Sequence, residues 1–251
     1  MADADRWRDW LDRAVVEESV RELRPDYLAL IVVAAGLRPG PSDAATDALL
    51  AEAETEAKAA LAAAGSEAGA GSGGTGAGDL PAVADWRLAY QAFGAKPKRT
   101  RPSVEALLRR VDTGLPRIDR LTDVYNAISV KHLLPAGGED LDEYVGHARL
   151  TRAKGDEPFD TTKDGEPVID YPEPGEVIWR DDAGVTCRCW NWRQCRRTRI
   201  TGSTTTAVFI LDGLAALGKD GLLAAGAELA GHLGRLHPDA SLITRLIGAG
   251  Q

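Results

Sequence analysis

The 251-residue sequence predicts a mixed α/β (α+β) protein, with mixed sheets and surrounding helices. Three observations carry that expectation. Apolar residues recur at helical spacing through much of the first half and again near the C-terminal end. Period-2 patterns punctuated by turns occupy 146–212. Hydrophobic residues make up 44% of the chain, enough to bury a real core.

The elements follow in order. Residues 1–64 read as a helix–strand–helix segment that packs on the rest. Trp7, Trp10, Leu11 and Ala14 share helical spacing within a helix over about 4–22, which ends before Pro25. Tyr27 to Ala34 is a continuous run rich in Ile and Val and predicts a buried strand. Residues 42–64 are rich in Ala and Glu, hold no Gly or Pro, and predict a helix. Residues 65–79 are almost all Gly, Ala and Ser, the composition of a flexible loop, and separate the first segment from a main domain over 80–251. The run Gly71-Ser72-Gly73-Gly74-Thr75-Gly76 inside that loop has the form of a dinucleotide fingerprint. It lacks the strand before and helix after that would aim backbone amides at a pyrophosphate. Helices are predicted over 82–92, 102–112 and 118–132. Glu176–Arg180 and Val185–Cys189 flank Asp181-Asp182-Ala183-Gly184, a hairpin signal. Thr205–Leu211 predicts another strand, and Leu222, Ala225, Leu229, Leu233 and Leu236 form one face of a helix over 219–236.

A formal net charge of −8 argues against a protein built solely to coat nucleic acid. The three cysteines, Cys187, Cys189 and Cys195, fall in one short stretch and read as reduced, buried thiols. With no fourth Cys or His nearby in sequence, no metal site is expected. No apolar run reaches membrane-spanning length, and Met1 to Asp12 lacks the apolar region of a signal peptide. A cytoplasmic chain without a membrane partner or cofactor is expected.

Two constellations stand out within roughly 84–213. Lys96, Lys98, Arg99 and Arg101 lie within six residues, stiffened by Pro97 and Pro102, directly before a helix that can start at Ser103. Such a cluster suits phosphate contacts, or it is a solvated charged loop. The stretch Cys187-Arg188-Cys189-Trp190-Asn191-Trp192-Arg193-Gln194-Cys195-Arg196-Arg197-Thr198-Arg199 interleaves five arginines with two tryptophans. Guanidinium groups grip phosphates or carboxylates, and indoles stack on bases. The alternative is that the tryptophans are core and the arginines pair with nearby acids.

Trp86-Arg87, Tyr90, Phe93-Gly94 and Lys96 to Ser103, then Asp123-Val124-Tyr125-Asn126-Ala127-Ile128-Ser129, Asp140-Leu141-Asp142 and Arg188-Cys189-Trp190-Asn191-Trp192-Arg193 together resemble free-standing relatives of the B3/B4 domain. That domain belongs to the β subunit of phenylalanyl-tRNA synthetase. There it is a hydrolytic editing module that removes tyrosine mistakenly attached to the phenylalanine tRNA. The resemblance spans about 84–213 and implies a B3/B4-like core, a side-chain pocket, and cations near it for the tRNA end. Asn126 matches the asparagine of the family's Asp-Val-x-Asn segment, which lines the pocket, and Arg120 matches a pocket arginine. Trp190, Asn191, Trp192 and Arg193 replace a glycine-rich pocket turn, which implies a differently shaped, smaller pocket. Pro135-Ala136-Gly137-Gly138 stands where bacterial synthetases carry a histidine. Leu211, with Asp212 beside it, stands where a glutamate recognises the tyrosine hydroxyl, so tyrosine as substrate does not follow.

The resemblance thus implies a trans-acting aminoacyl-tRNA deacylase whose partners are aminoacylated tRNA and an amino acid as a small molecule. Asn126 and Arg120 would act on the ester. Trp190, Asn191, Trp192 and Asp212 would hold the substrate. Lys96, Lys98, Arg99, Arg101, Arg193, Arg196 and Arg197 would contact the tRNA. Two alternatives stay open at this point: a non-catalytic amino-acid or metabolite binding module, and aminoacyl transfer to an acceptor other than water.

Overall fold

The structure, a computed structural model, describes residues 2–67, 76–96 and 99–248. In chain order it holds α1 (Ala2–Arg13), β1 (Val15–Val16), α2 (Glu18–Leu23), β2 (Leu28–Ala35), α3 (Ala44–Glu67) and a 3-10 turn at Ala77–Asp79. There follow α4 (Pro81–Ala92), α5 (Ser103–Leu108), α6 (Arg120–Lys131), β3 (Ala136–Asp140), β4 (Arg149–Arg152), β5 (Phe159–Lys163) and β6 (Glu166–Asp170). The chain continues with β7 (Val177–Arg180), β8 (Val185–Arg188), β9 (Arg193–Gln194), β10 (Thr206–Gly213), α7 (Gly218–Leu236) and β11 (Ser241–Gly248).

The apolar run that predicted a buried strand forms β2, whose eight residues carry no polar side chain. A strand apolar on both faces belongs in the middle of a sheet covered on both sides. It sits between β11 and β10 in an antiparallel sheet ordered β11-β2-β10-β3. Strand alternation divides the interior in two. Leu30, Val32 and Ala34 of β2, with Phe209 and Leu211 of β10, pack against α3, α6 and α7. Ala29, Ile31 and Val33, with Val208 and Ile210, face the opposite way and pack with Trp7, Trp86, Leu150, Trp179 and Trp190. A five-stranded sheet ordered β1-β4-β7-β8-β9 supplies much of that second layer. β5 and β6 pair as a separate hairpin.

Three expectations are revised. The single helix over about 4–22 is two helices, because β-branched Val15 and Val16 pair in parallel with Arg149 and Leu150 instead. The helix expected over 102–112 stops at Leu108. Two strands were not anticipated. β11 pairs with β2 along its whole length. β3 reads Ala-Gly-Gly-Glu-Asp, without a single strand-forming side chain, and is held by its pairing with β10. Glycine is needed there for room: a Cβ on Gly138 would lie 2.9 Å from atoms of Tyr125, Ile200 and Phe209.

Of the loop expected over 65–79, residues 68–75 lie outside the described residues, and so does most of Gly71–Gly76. At its edges α3 runs on to Glu67, and Ala77 and Gly78 are buried in the 3-10 turn. Gly78 passes under the Arg87 guanidinium so closely that a Cβ would lie 1.9 Å from Arg87 Cζ. Arg87 donates to both carboxylate oxygens of the fully buried Glu105, at 2.9 and 2.7 Å, and so clamps α4 to α5. Arg101 reaches the same carboxylate only at 3.4 Å. Arg87→Ala should therefore cost about 2–3 kcal/mol in urea unfolding, while Arg101→Ala costs well under half of that. Equal losses would mean that the clamp is shared. Among the described residues, no helix is long and apolar enough to cross a membrane.

Candidate active-site cavity

A cavity of about 320 Å³ opens between the two sheets and the α5–α6 layer. Its floor is the face of β3 and β10 that carries Gly137, Glu139, Ile210 and Asp212. Trp179, Cys187 and Gln194 come from the second sheet, and Thr122, Tyr125 and Asn126 from α6.

The chain turns sharply out of β8 to build the wall at Trp190–Trp192. Cys189 (φ 45°) and Trp190 (φ 67°) both adopt left-handed backbone, which is costly for residues of that size. Surrounding contacts hold the turn. The amides of Cys189, Trp190 and Trp192 donate to Glu176 Oε1 (2.9 Å), the Val177 carbonyl (2.6 Å) and the Arg188 carbonyl (3.0 Å). The Trp190 ring is fully buried and meets Tyr27 and Trp86 edge-on, with centroids 4.9 and 5.3 Å apart. Cys189 thus lies beyond the strand, so Cys187 and Cys189 do not share an extended-strand face. All three cysteines are free and buried, and burial pushes their thiol pKa values up.

A continuous buried network crosses the cavity wall. Tyr90 Oη donates to Asn191 Oδ1 (2.8 Å), Asn191 Nδ2 donates to Asp212 Oδ2 (3.1 Å), and Tyr27 Oη donates to Asp212 Oδ1 (2.5 Å). Burial raises the Asp212 carboxyl to about 7, against which these two hydrogen bonds pull only partway back. Leu211 points into the helix-side core, so Asp212, one residue on, is the carboxylate that β10 turns towards the cavity. Glu139 of β3 is a second buried carboxylate there. It accepts from Tyr144 Oη (2.7 Å) and Thr198 Oγ1 (2.8 Å), and burial raises its pKa. Sequence analysis missed Glu139, which stands in a segment without strand propensity and carries no local signal of burial. Asn126 is 6% exposed and lines the cavity, and its side-chain amide forms no hydrogen bond with another described residue.

The structure gathers Asn126, Trp190, Asn191, Trp192, Arg193 and Asp212 around the cavity. Arg120 is not among its lining residues; it begins α6 and pairs with Asp43 at 2.8 Å. Trp190 is too buried to offer a stacking face, whereas the half-buried Trp192 lies under the exposed Arg193 guanidinium at 4.6 Å. Arg196 pairs with the part-exposed Asp160 (2.9 Å), and Arg197 is committed inward to the fully buried Asp181 (2.8 Å). Lys96 and Arg99 are exposed, Arg101 is half-buried beside Glu105, and Lys98 lies outside the described residues.

Fold and site define an α/β protein with two main sheets and a ligand-sized cavity lined by two buried carboxylates, Glu139 and Asp212. The B3/4 domain model matches residues 85–217, just over half of the chain, and the chain belongs to that family. No curated protein matches it in sequence. Among solved structures it is similar to an N-terminal fragment of the phenylalanyl-tRNA synthetase β-subunit from Pyrococcus horikoshii, at 11% identity and a TM-score of 0.39. The match covers 92% of this chain and 52% of that one, so the chain spans about half the length of its structural neighbour.

The raised Asp212 pKa has a consequence for stability. The folded state holds this proton more tightly than the unfolded chain, whose aspartates titrate near 4. Its contribution is therefore fully present below about pH 4 and is lost as pH rises towards 7, by about 4 kcal/mol in all. The groups facing it, Tyr27, Tyr90 and Cys187, stay neutral throughout, because burial pushes each of their pKa values up. Asp212→Asn keeps the shape, and both hydrogen bonds survive if the Asn191 amide turns over. Urea unfolding at pH 5 and pH 8 should show wild type losing stability relative to the variant; identical pH dependence would place the ionisation elsewhere.

Proposed function

We propose that this chain is a trans-acting aminoacyl-tRNA deacylase of the B3/4 family. The observation that carries the reading is the Asn126 side chain, which faces a cavity of amino-acid size and has no hydrogen-bond partner among the described residues. An amide open to the cavity and not engaged by the protein is free to hydrogen-bond a ligand there. Asn126 Nδ2 would donate to the ester carbonyl as it gains negative charge during attack by water. The water would be activated by the ribose hydroxyl of the tRNA itself, since the ester is already labile. Arg193 on Trp192, with exposed Arg110 at the cavity rim, would meet the phosphates and terminal base. Arg120, paired with Asp43, would support α6 and not touch the ester.

The hydrogen bonds that already occupy Asp212 and Glu139 favour a second reading, in which the cavity binds an amino acid without hydrolysing anything. A panel of mischarged tRNAs separates the two. Wild type should deacylate at least one of them, and Asn126→Ala should lower that rate about a hundred- to a thousand-fold with tRNA affinity and melting temperature little changed. An undiminished rate in a folded Asn126→Ala would sink its catalytic role, and a wild type inert on every charged tRNA would favour the binding module.

The arginines are separable in the same assay. Arg193→Ala should weaken tRNA binding and reduce the log–log salt slope by about one. Arg197→Ala should instead cost about 2–3 kcal/mol of stability, because it strips the buried Asp181 of its cation. The reverse pattern would mean that Arg197, not Arg193, faces the RNA.

A further inference from the structure

Among the described residues, every sheet edge but one is blunted. β1 and β9 are two residues long. β3 is covered by the chain at Thr198–Arg199: the Asp140 amide donates to the Thr198 carbonyl at 2.7 Å, and Glu139 bridges to Arg199. In the separate hairpin, β6 carries Pro167 between the charged Glu166 and Asp170, and on β5 the Asp160 carbonyl accepts from the Arg196 amide at 2.9 Å. Shortness, proline, charge and covering segments are how a sheet avoids meeting a further strand. β11 has none of these. It is eight residues long, holds no proline and pairs with β2 without a bulge. Its single charged residue, Arg245, is committed elsewhere: Nη1 donates to the carbonyls of Leu11, Asp12 and Ala14 at 2.7, 2.8 and 2.8 Å.

Ladder parity fixes which groups of β11 face outward. The Asp212 amide donates to the Pro135 carbonyl, and the Gly36 amide to the Thr205 carbonyl, both at 3.0 Å. Even-numbered residues of β10 therefore bond β3, and even-numbered residues of β2 bond β10. Odd-numbered residues of β2 are left to bond odd-numbered residues of β11. The amides and carbonyls of Leu242, Thr244 and Leu246 thus point away from the sheet, and no other described residue hydrogen-bonds to them. Thr244 is exposed, while Leu242 and Leu246 are half-buried beside Leu236 and Ala240 on the helix side.

We propose that β11 is the dimer edge of this protein, pairing antiparallel with β11 of a second copy about a two-fold axis at Thr244. Opposite residues in such a pair share a face, and outward groups must meet outward groups. The axis at Thr244 satisfies both conditions over almost the whole strand: Thr244 meets Thr244, Leu242 meets Leu246 and Ile243 meets Arg245 of the second copy. An axis at Arg245 would oppose two guanidinium side chains, and one at Ile243 would set Leu246 against Ala240, outside the strand. The same residues supply both halves of the match, which favours a second copy over a foreign strand. Pairing would join two four-stranded sheets into one of eight. The cavity lies against β3, at the far end of the sheet order, so the dimer is independent of the deacylase reading.

Sedimentation of the full chain tests this without tRNA. Wild type should pass from 26.7 kDa to twice that mass as its concentration rises from about 1 to about 200 µM. Thr244→Lys and Thr244→Glu each place like charges opposite one another across the axis, at an exposed position that leaves the β2 ladder intact. Each variant alone should associate ten-fold or more weakly than wild type with an unchanged melting temperature. An equimolar mixture of the two should recover the dimer, because Lys then faces Glu. A wild type that stays monomeric throughout overturns the proposal, whether or not its edge captures a strand of another protein. So does a dimer that neither variant weakens, and so does a mixture no tighter than the separate variants.

Discussion

The hydrogen bond from Tyr27 to Asp212 joins residues 185 positions apart, and the cavity depends on it. Tyr27 leads into β2, and Asp212 lies near the end of β10, the strand paired beside it. Asn191 and Tyr90 continue the contact to the turn after β8 and to α4. Four elements from distant parts of the sequence therefore converge on one buried carboxyl. A buried polar group of this kind specifies its neighbours strongly, because any shift that breaks one bond leaves the rest unsatisfied in a medium of low polarity. The left-handed backbone at Cys189 and Trp190 is tolerated for the same reason: Trp190 is locked among Tyr27, Trp86 and Phe93.

Arginine is abundant in the 187–199 stretch, yet most of it is spent inside. Arg188 is bonded to Glu176 and Asp170, Arg196 to Asp160 and Arg197 to Asp181. Arg193 and Arg199 are left exposed, and of these Arg193 stands at the cavity on an indole face. A dense basic motif in an acidic chain is thus largely an internal counter-ion set. Its contribution to RNA affinity comes down to a few positions, since a guanidinium already bonded to a buried carboxylate would have to give up that partner before it could hold a phosphate.

The tryptophan-rich turn changes the cavity in another way. Trp190 closes it from behind as core, while Trp192 remains half-buried at the opening. Between them Asn191 reaches inward, with its carbonyl oxygen taken by Tyr90 and its amide nitrogen by Asp212. Bulk at this turn therefore narrows the space and at the same time brings a polar group to its buried end.

Much of this protein was legible in its sequence, because the relevant signals are local. An unbroken apolar run marked β2, an Ala- and Glu-rich composition marked α3, helical spacing marked α7, and Asp181 to Gly184 marked the turn between β7 and β8. Run by run, the motifs about Asn126 and Trp190–Arg193 pointed to the correct family. What stayed hidden was long-range. β3 has no strand propensity of its own and exists because β10 lies beside it. Arg120 reads like any other cation near a functional motif, and its turn towards Asp43 depends on where α3 begins. Glu139 was indistinguishable from a surface acid until β3 aimed it at the cavity. Sequence by itself determined which segments are helix or buried strand and which residue types cluster, since periodicity and composition act over a few residues. Only the tertiary structure decided which charges meet: burial and pairing are properties of neighbours brought from 16 to 185 positions away, and those neighbours settle whether an arginine is a counter-ion or a contact.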